Sequence, residues 1–100
     1  MPQHEMKLVT IICEALARKV VLDLLRDAGA RGFTAFQVEG LGAKGDRSGE
    51  MLELANLQVE VIVPPAVAAT LLERLERDCF PKYAMIAYES DVRVRRPAKF

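Results

Sequence analysis

The 100-residue sequence has no tryptophan, one histidine and two cysteines, and each shortage removes a class of chemistry. No Ser or Cys has a His base beside it, and His4 falls in an expected N-terminal tail, so nucleophilic catalysis lacks its parts. Cys13 and Cys79 stand far apart without flanking Cys or His, which is neither a metal-ligand spacing nor a disulfide framework. They read as core or half-buried thiols, and no metal is expected. An excess of one charge is also missing: 14 basic and 14 acidic side chains cancel, which disfavours a globally basic nucleic-acid binder. Tyr83 and Tyr88 are five apart and face opposite sides of an extended chain, so no base-stacking platform forms. No apolar run approaches the ~20 residues that cross a bilayer. Residues 1–6 carry no basic-then-apolar secretion pattern. The expectation is a cytoplasmic chain without membrane insertion.

What is present suits a globular domain: 51% hydrophobic and 28% charged residues. The length suits one domain, which buries roughly two thirds of its unfolded surface. Residues 7–13 are apolar and β-branched and predict a buried strand. Over 14–28, Ala15, Leu16, Val20, Val21, Leu24, Leu25 and Ala28 recur at three- and four-residue steps, which predicts a helix with Gly29 past its end. Residues 33–39 read as a second strand. Residues 57–63 read as a third, with Leu57, Val59, Val61 and Val63 on one side and Gln58, Glu60 and Ile62 on the other. Pro64-Pro65 ends that strand and opens a helix over 65–78. Residues 83–88 form a fourth strand, and Val92 and Val94 a short fifth piece.

The order β-α-β-β-α-β in a single short chain predicts an α+β, ferredoxin-like βαββαβ sandwich, with two helices on one face of an antiparallel sheet. The strands over 7–13 and 83–88 look apolar on both faces. With only two helices to cover the sheet, that excess predicts subunits packing sheet to sheet. Residues 1–5 are expected to form a flexible tail and 97–100 a C-terminal tail.

The composition changes between Gly40 and Asn56. Gly40, Gly42, Gly45 and Gly49 accumulate there with Lys44, Asp46, Arg47, Ser48 and Glu50, in a connection of about 16 residues over 41–56. Loops longer than ~12–15 residues in compact domains are commonly functional. Glycines let backbone N–H groups approach an anion, and Lys44 and Arg47 add positive charge. The run Gly40-Leu41-Gly42-Ala43-Lys44-Gly45 matches Gly-x-Gly-x-x-Gly, but no helix and no parallel strand follow, so a dinucleotide fold is excluded. No Gly-Lys-Ser/Thr closes a Walker loop either.

A second basic cluster holds Arg93, Arg95, Arg96 and Lys99. Two apart in extended chain, Arg93 and Arg95 point the same way, and paired guanidinium groups grip phosphate with parallel hydrogen bonds. Lys82 opens the fourth strand. Glu60 sits mid-strand among Val59, Val61 and Ile62, either as a surface position or as a polar contact for a ligand hydroxyl or a cation.

These parts together resemble the PII signal-transduction proteins. Met6-Lys7-Leu8-Val9, the segment Gly32-Phe33-Thr34-Ala35-Phe36-Gln37-Val38-Glu39-Gly40-Leu41-Gly42, the run Val59-Glu60-Val61-Ile62-Val63-Pro64, and Lys82 followed by Arg93-Val94-Arg95 occur in the family's order across residues 6–96. Two departures steer the resemblance within the family. The 41–56 loop is short and has no tyrosine, and Cys79-Phe80-Pro81 replaces a glycine-rich phosphate loop. The sequence is similar to the PII-like branch tied to inorganic carbon, which includes carboxysome-associated proteins and regulators of bicarbonate transporters. The alternatives are a nitrogen-regulatory PII-type sensor and a small trimeric metal-tolerance-like protein of the same fold.

The resemblance implies a homotrimer with sheets facing inward, and a sensor rather than an enzyme. It implies an adenine nucleotide (ADP or AMP foremost, ATP next) in clefts between subunits. By position, Thr34, Glu60 and Ile62 would line the adenosine pocket, Gly40 and Gly42 would admit the loop backbone, and Lys82, Arg93 and Arg95 would hold phosphates. Lys44 and Arg47 would gather bicarbonate or a similar anion. Signalling through the 41–56 loop to a bicarbonate transporter or carboxysome-related protein follows from the same likeness.

Overall fold

The computed structural model of the chain describes residues 4–39, 56–96 and 99–100. Strand β1 spans His4–Glu14, and a single 3-10 turn, Ala15–Ala17, leads into helix α1, Arg18–Ala28. Strands β2, Thr34–Val38, and β3, Asn56–Val63, follow. Helix α2, Pro65–Arg74, widens into a π-helical turn, Leu75–Cys79, and strand β4 covers Met85–Val94. The sheet order is β2-β3-β1-β4 with every neighbouring pair antiparallel. This is the ferredoxin-like arrangement expected from the element order. No helix among the described residues is long and apolar enough to cross a membrane.

Local chemistry accounts for the boundaries. Gly29 adopts φ 102°, a left-handed conformation that ends α1 and lets the Ala30 N–H reach the Leu25 carbonyl at 3.0 Å. Pro65 occupies the first position of α2, where a missing N–H costs nothing, and the Ala68 N–H closes the first turn on the Pro64 carbonyl at 3.0 Å. In the π turn the Phe80 N–H bonds the Leu75 carbonyl, five residues back, at 2.9 Å.

Alternation in the strands puts Val9, Ile11, Cys13, Leu57, Val59, Val61 and Val63 under the helices. They meet Ala17, Val21, Leu24 and Leu25 on the α1 side, and Ala68, Leu71, Leu75 and Cys79 on the α2 side. Both cysteines are therefore core residues.

The structure corrects several boundaries, and Asn56, expected to close the 41–56 loop, is instead the first residue of β3, opposite Val38 and Glu14. His4 and Glu5 belong to β1 and lie opposite Val94 and Arg93, so the expected tail is partly strand. The continuation of β4 supplies their backbone partners. The fourth and fifth strand pieces are one strand. Its middle, Glu89-Ser90-Asp91, looks like a break by polarity, but β1 runs opposite it throughout, with Lys7 facing Asp91. The Lys7 ammonium pairs with Asp91 and lies 3.9 Å from Glu89, so these carboxylates are held on the helix-side face. The stretch expected to be apolar on both faces is so from Met85 to Tyr88, with Met85 and Ala87 against the core and Ile86 and Tyr88 on the opposite face, and the polar residues belong to its continuation.

Candidate ligand-binding site

The sheet face turned away from the helices carries three cross-strand rows. Phe36, Gln58, Ile12 and Ile86 form one, Thr34, Glu60, Thr10 and Tyr88 the next, and Ile62, Leu8 and Ser90 the third. No element of the chain's described residues covers this face. Ile86 and Tyr88 are 57% and 50% exposed, whereas Thr10, between Glu60 and Tyr88, is 2% exposed. A polar row thus crosses a mostly apolar surface. An exposed apolar patch of this extent on a small domain marks a surface that another molecule covers.

Thr34, the first residue of β2, lies directly opposite Glu60, and Ile62 is two positions along the same face. The fold therefore brings these three expected site residues together. Gln58 Nε2 donates to Glu60 Oε2 at 3.0 Å, which fixes the carboxylate and leaves its acceptor capacity facing the open side. The sequence reading did not assign Gln58 a role. Its signal was the two-residue spacing to Glu60, which places both on one strand face.

Lys82 sits in the turn between the π turn and β4. Its N–H donates to the Cys79 carbonyl at 3.0 Å, as does that of Tyr83. Glu14, also missed, fastens the far side of this turn: its N–H donates to the Ala84 carbonyl at 3.1 Å, and its carboxylate accepts the Ala84 N–H at 2.8 Å. Nothing in the sequence pairs residue 14 with residue 84, because only strand register brings them together. In the same turn, hydrogen bonding from Arg77 holds the Asp78 carboxyl below its ordinary value, with the charge of Lys82 a lesser contribution.

Arg93 and Arg95 lie at the opposite end of β4 from Lys82. The strand is 10 residues long, which at ~3.3 Å per residue is roughly 30 Å. One chain therefore does not bring Lys82 and the arginine pair to one phosphate chain. All three side chains belong to exposed residues, and among the described residues none of them makes an ion pair. Gly40, Gly42, Lys44 and Arg47 lie outside the described residues. Among the described residues no group of three or more His, Cys, Asp or Glu is arranged to hold a metal.

Comparison with known proteins adds to this geometry. The family described as Nitrogen regulatory protein P-II matches residues 6–99. A solved PII-like signaling protein from Thermus thermophilus is 39% identical, with 100% of this chain and 99% of that chain covered and a TM-score of 0.85. CPII from Thiomonas intermedia, solved bound to ADP, AMP and bicarbonate, is 27% identical, with 99% and 96% covered and a TM-score of 0.88. The same protein bound to ADP, AMP and acetate is 26% identical over 100% and 98% of the chains, with a TM-score of 0.85. No curated protein matches the sequence.

Proposed function

Because the chain belongs to the nitrogen regulatory protein P-II family, we propose that it is a PII-like regulator that binds an adenine nucleotide in clefts between the subunits of a homotrimer. The observation that carries this reading is the separation of Lys82 from Arg93 and Arg95 along β4. A site that needs all three cations needs two copies of the chain. The uncovered apolar sheet face supplies a reason for copies to associate.

In this assembly Thr34, Glu60 and Ile62 line the adenosine end, with the Glu60 carboxylate accepting from a ribose hydroxyl. Lys82 from one copy and Arg93 and Arg95 from its neighbour hold the phosphates through charge-assisted hydrogen bonds. Gly40 and Gly42 admit the loop backbone beside the nucleotide, and Lys44 or Arg47 gathers bicarbonate. ADP and AMP are the favoured nucleotides, in keeping with the ligands of the Thiomonas protein. The protein acts as a sensor in the cytoplasm and not as a catalyst.

Binding is signalled through the 41–56 loop, whose conformational population the ligand shifts by its differential affinity. The partner is a bicarbonate transporter or a carboxysome-related protein. Nucleotide and bicarbonate that share the cost of ordering one segment bind cooperatively.

Light scattering and calorimetry test the reading together. The expected particle has three times the 11.1 kDa chain mass. ADP or AMP is expected to bind it, and Arg93→Ala is expected to weaken that binding by more than about tenfold, the loss of a charge-assisted pair. A monomer, or equal affinity of wild type and variant, overturns the composite site. A thermal-shift screen of ADP, AMP and ATP with and without bicarbonate then ranks the ligands, since whatever binds the native state raises its melting temperature.

A further inference from the structure

Two hollows meet at Ala15 and Arg18, where the start of α1 passes the edge strand β2. One, of about 320 Å³, lies between the turn 15–17 and strand β2, and its wall includes Gln37, Asn56 and Phe36. The other, of about 490 Å³, runs along α1 past Leu16, Lys19, Leu22, Asp23 and Arg26. Together they form one groove. Ala35 and Gln37, which line the first hollow, lie opposite Val59 and Leu57 on the helix side, while Phe36 reaches it from the other face, so that hollow wraps the β2 edge; the hollow along α1 holds no residue of the Thr34, Glu60 and Ile62 face.

Two features of this groove are unaccounted for by folding. Leu16 is 70% exposed and takes no part in the core, although the adjoining Ala17 is fully buried in it. The charges are unbalanced: Arg18, Lys19 and Arg26 face a single carboxylate, Asp23. That carboxylate lies 2.8 Å from Lys19 and 3.8 Å from Arg26, while Arg18 makes no ion pair among the described residues. The chain as a whole is neutral, so this surplus is local. An exposed leucine beside Arg18, which has no ion pair among the described residues, and beside Lys19 and Arg26, which share one carboxylate, suits a partner that carries carboxylates around an apolar side chain. A polyphosphate or nucleic acid would match the cations and leave Leu16 wet.

We propose that the groove over the 15–17 turn and along α1 docks an acidic peptide segment of a partner protein, with a bulky apolar residue of that segment covering Leu16 and its carboxylates pairing Arg18 and Lys19. The residues it contacts, Leu16, Arg18 and Lys19, are none of those placed in the nucleotide site, so it stands whether or not adenine nucleotides bind.

Three fluorescein-labelled decapeptides test it against the full-length protein by anisotropy: a glutamate-rich one with two central leucines, the same peptide with serines for the leucines, and a lysine-rich one with the leucines kept. Only the first is expected to saturate, at least about tenfold tighter than the others, and to weaken as salt screens the charges. Arg18→Glu is expected to weaken it about tenfold or more, and Leu16→Ser about fivefold. Both positions are exposed, so folding is expected to persist, and calorimetric titration of ADP on the same variants is expected to match wild type. No saturable binding of the first peptide, equal binding of all three, indifference to Arg18→Glu, or preferential competition by oligouridylate overturns the proposal.

Discussion

Glu14 and Ala84 hold each other twice, through the Glu14 N–H on the Ala84 carbonyl and the Ala84 N–H on the Glu14 carboxylate, at 3.1 and 2.8 Å. The pair closes the end of β1 onto the start of β4 and so anchors the turn that carries Lys82. Removing the side chain leaves a part-buried N–H without its charged acceptor, a loss of about 1–3 kcal/mol. Glu14→Ala is expected to lower the urea midpoint accordingly and to loosen Lys82. Hydrogen exchange at Ala84 faster by an order of magnitude or more would register the lost bond. An unchanged exchange rate there would show that the carboxylate does not hold the turn.

The proposed composite site predicts a stoichiometric signature. Lys82→Ala alone and Arg93→Ala alone are each expected to lose tight nucleotide binding. Co-refolded in equal amounts, they are expected to form mixed trimers. In such trimers about a quarter of the clefts regain an intact lysine on one side and an intact arginine on the other, as random assembly around a three-fold axis requires. Calorimetry of the mixture is expected to find that fraction of tight sites. Zero recovery would place the three cations of one site in a single chain.

Leu71 is fully buried between α2 and the sheet. Leu71→Ala is expected to cost about 2–5 kcal/mol from lost transfer energy and a residual cavity. A nucleotide bound as proposed selects the native state, so saturating ADP is expected to restore part of the loss. Chemical denaturation with and without ADP measures both quantities. A cost below about 1 kcal/mol would mean that α2 is not packed as described.

Burial pushes the Cys13 thiol up to about 11, with the Glu14 carboxylate and then Cys79 adding to the shift. The ordinary value is 9.0, so the folded state keeps a proton that the unfolded chain releases. The stabilising contribution is complete below the unfolded value and is lost as pH rises through about 11. Burial raises the Cys79 thiol as well. Melting temperature is expected to fall across this window, more steeply for wild type than for Cys13→Ala. Matching slopes in the two proteins would remove Cys13 as the cause. At neutral pH both thiols are expected to resist iodoacetamide until the protein is unfolded.

Much of the architecture is legible in the chain. The period-two pattern over 57–63 predicts β3 and its two faces, and every second residue there is buried. The three- and four-residue spacing from Val20 to Ala28, with Gly29 after it, predicts α1 and its end. The pattern misleads at Glu89-Ser90-Asp91, where strand continuity comes from the partner strand and not from local hydrophobicity. It also misleads at Leu75–Cys79, where helical spacing continues but the backbone widens into a π turn.

The residue types of the site are local information, and so is the family likeness that orders them. Lys82, Arg93 and Arg95 are candidate phosphate ligands by the family likeness and the spacing of the two arginines, and Glu60 and Ile62 share a face by alternation, while Thr34 joins that face only once register is known. Strand register is a non-local quantity: a slip of one residue inverts every side chain. For the same reason the Glu14–Ala84 clasp is invisible until β1 and β4 are aligned, whereas the Gln58–Glu60 contact follows from spacing within β3.

What the sequence alone determined is which stretches form strands and helices, because the spacing of apolar side chains along a single segment decides which of its faces leaves water. Only the tertiary structure decided that the cations of the candidate site stand at opposite ends of β4 and that Thr34 meets Glu60. Those facts depend on how separate segments are aligned against one another, and hydrogen bonding between strands sets that alignment across tens of intervening residues.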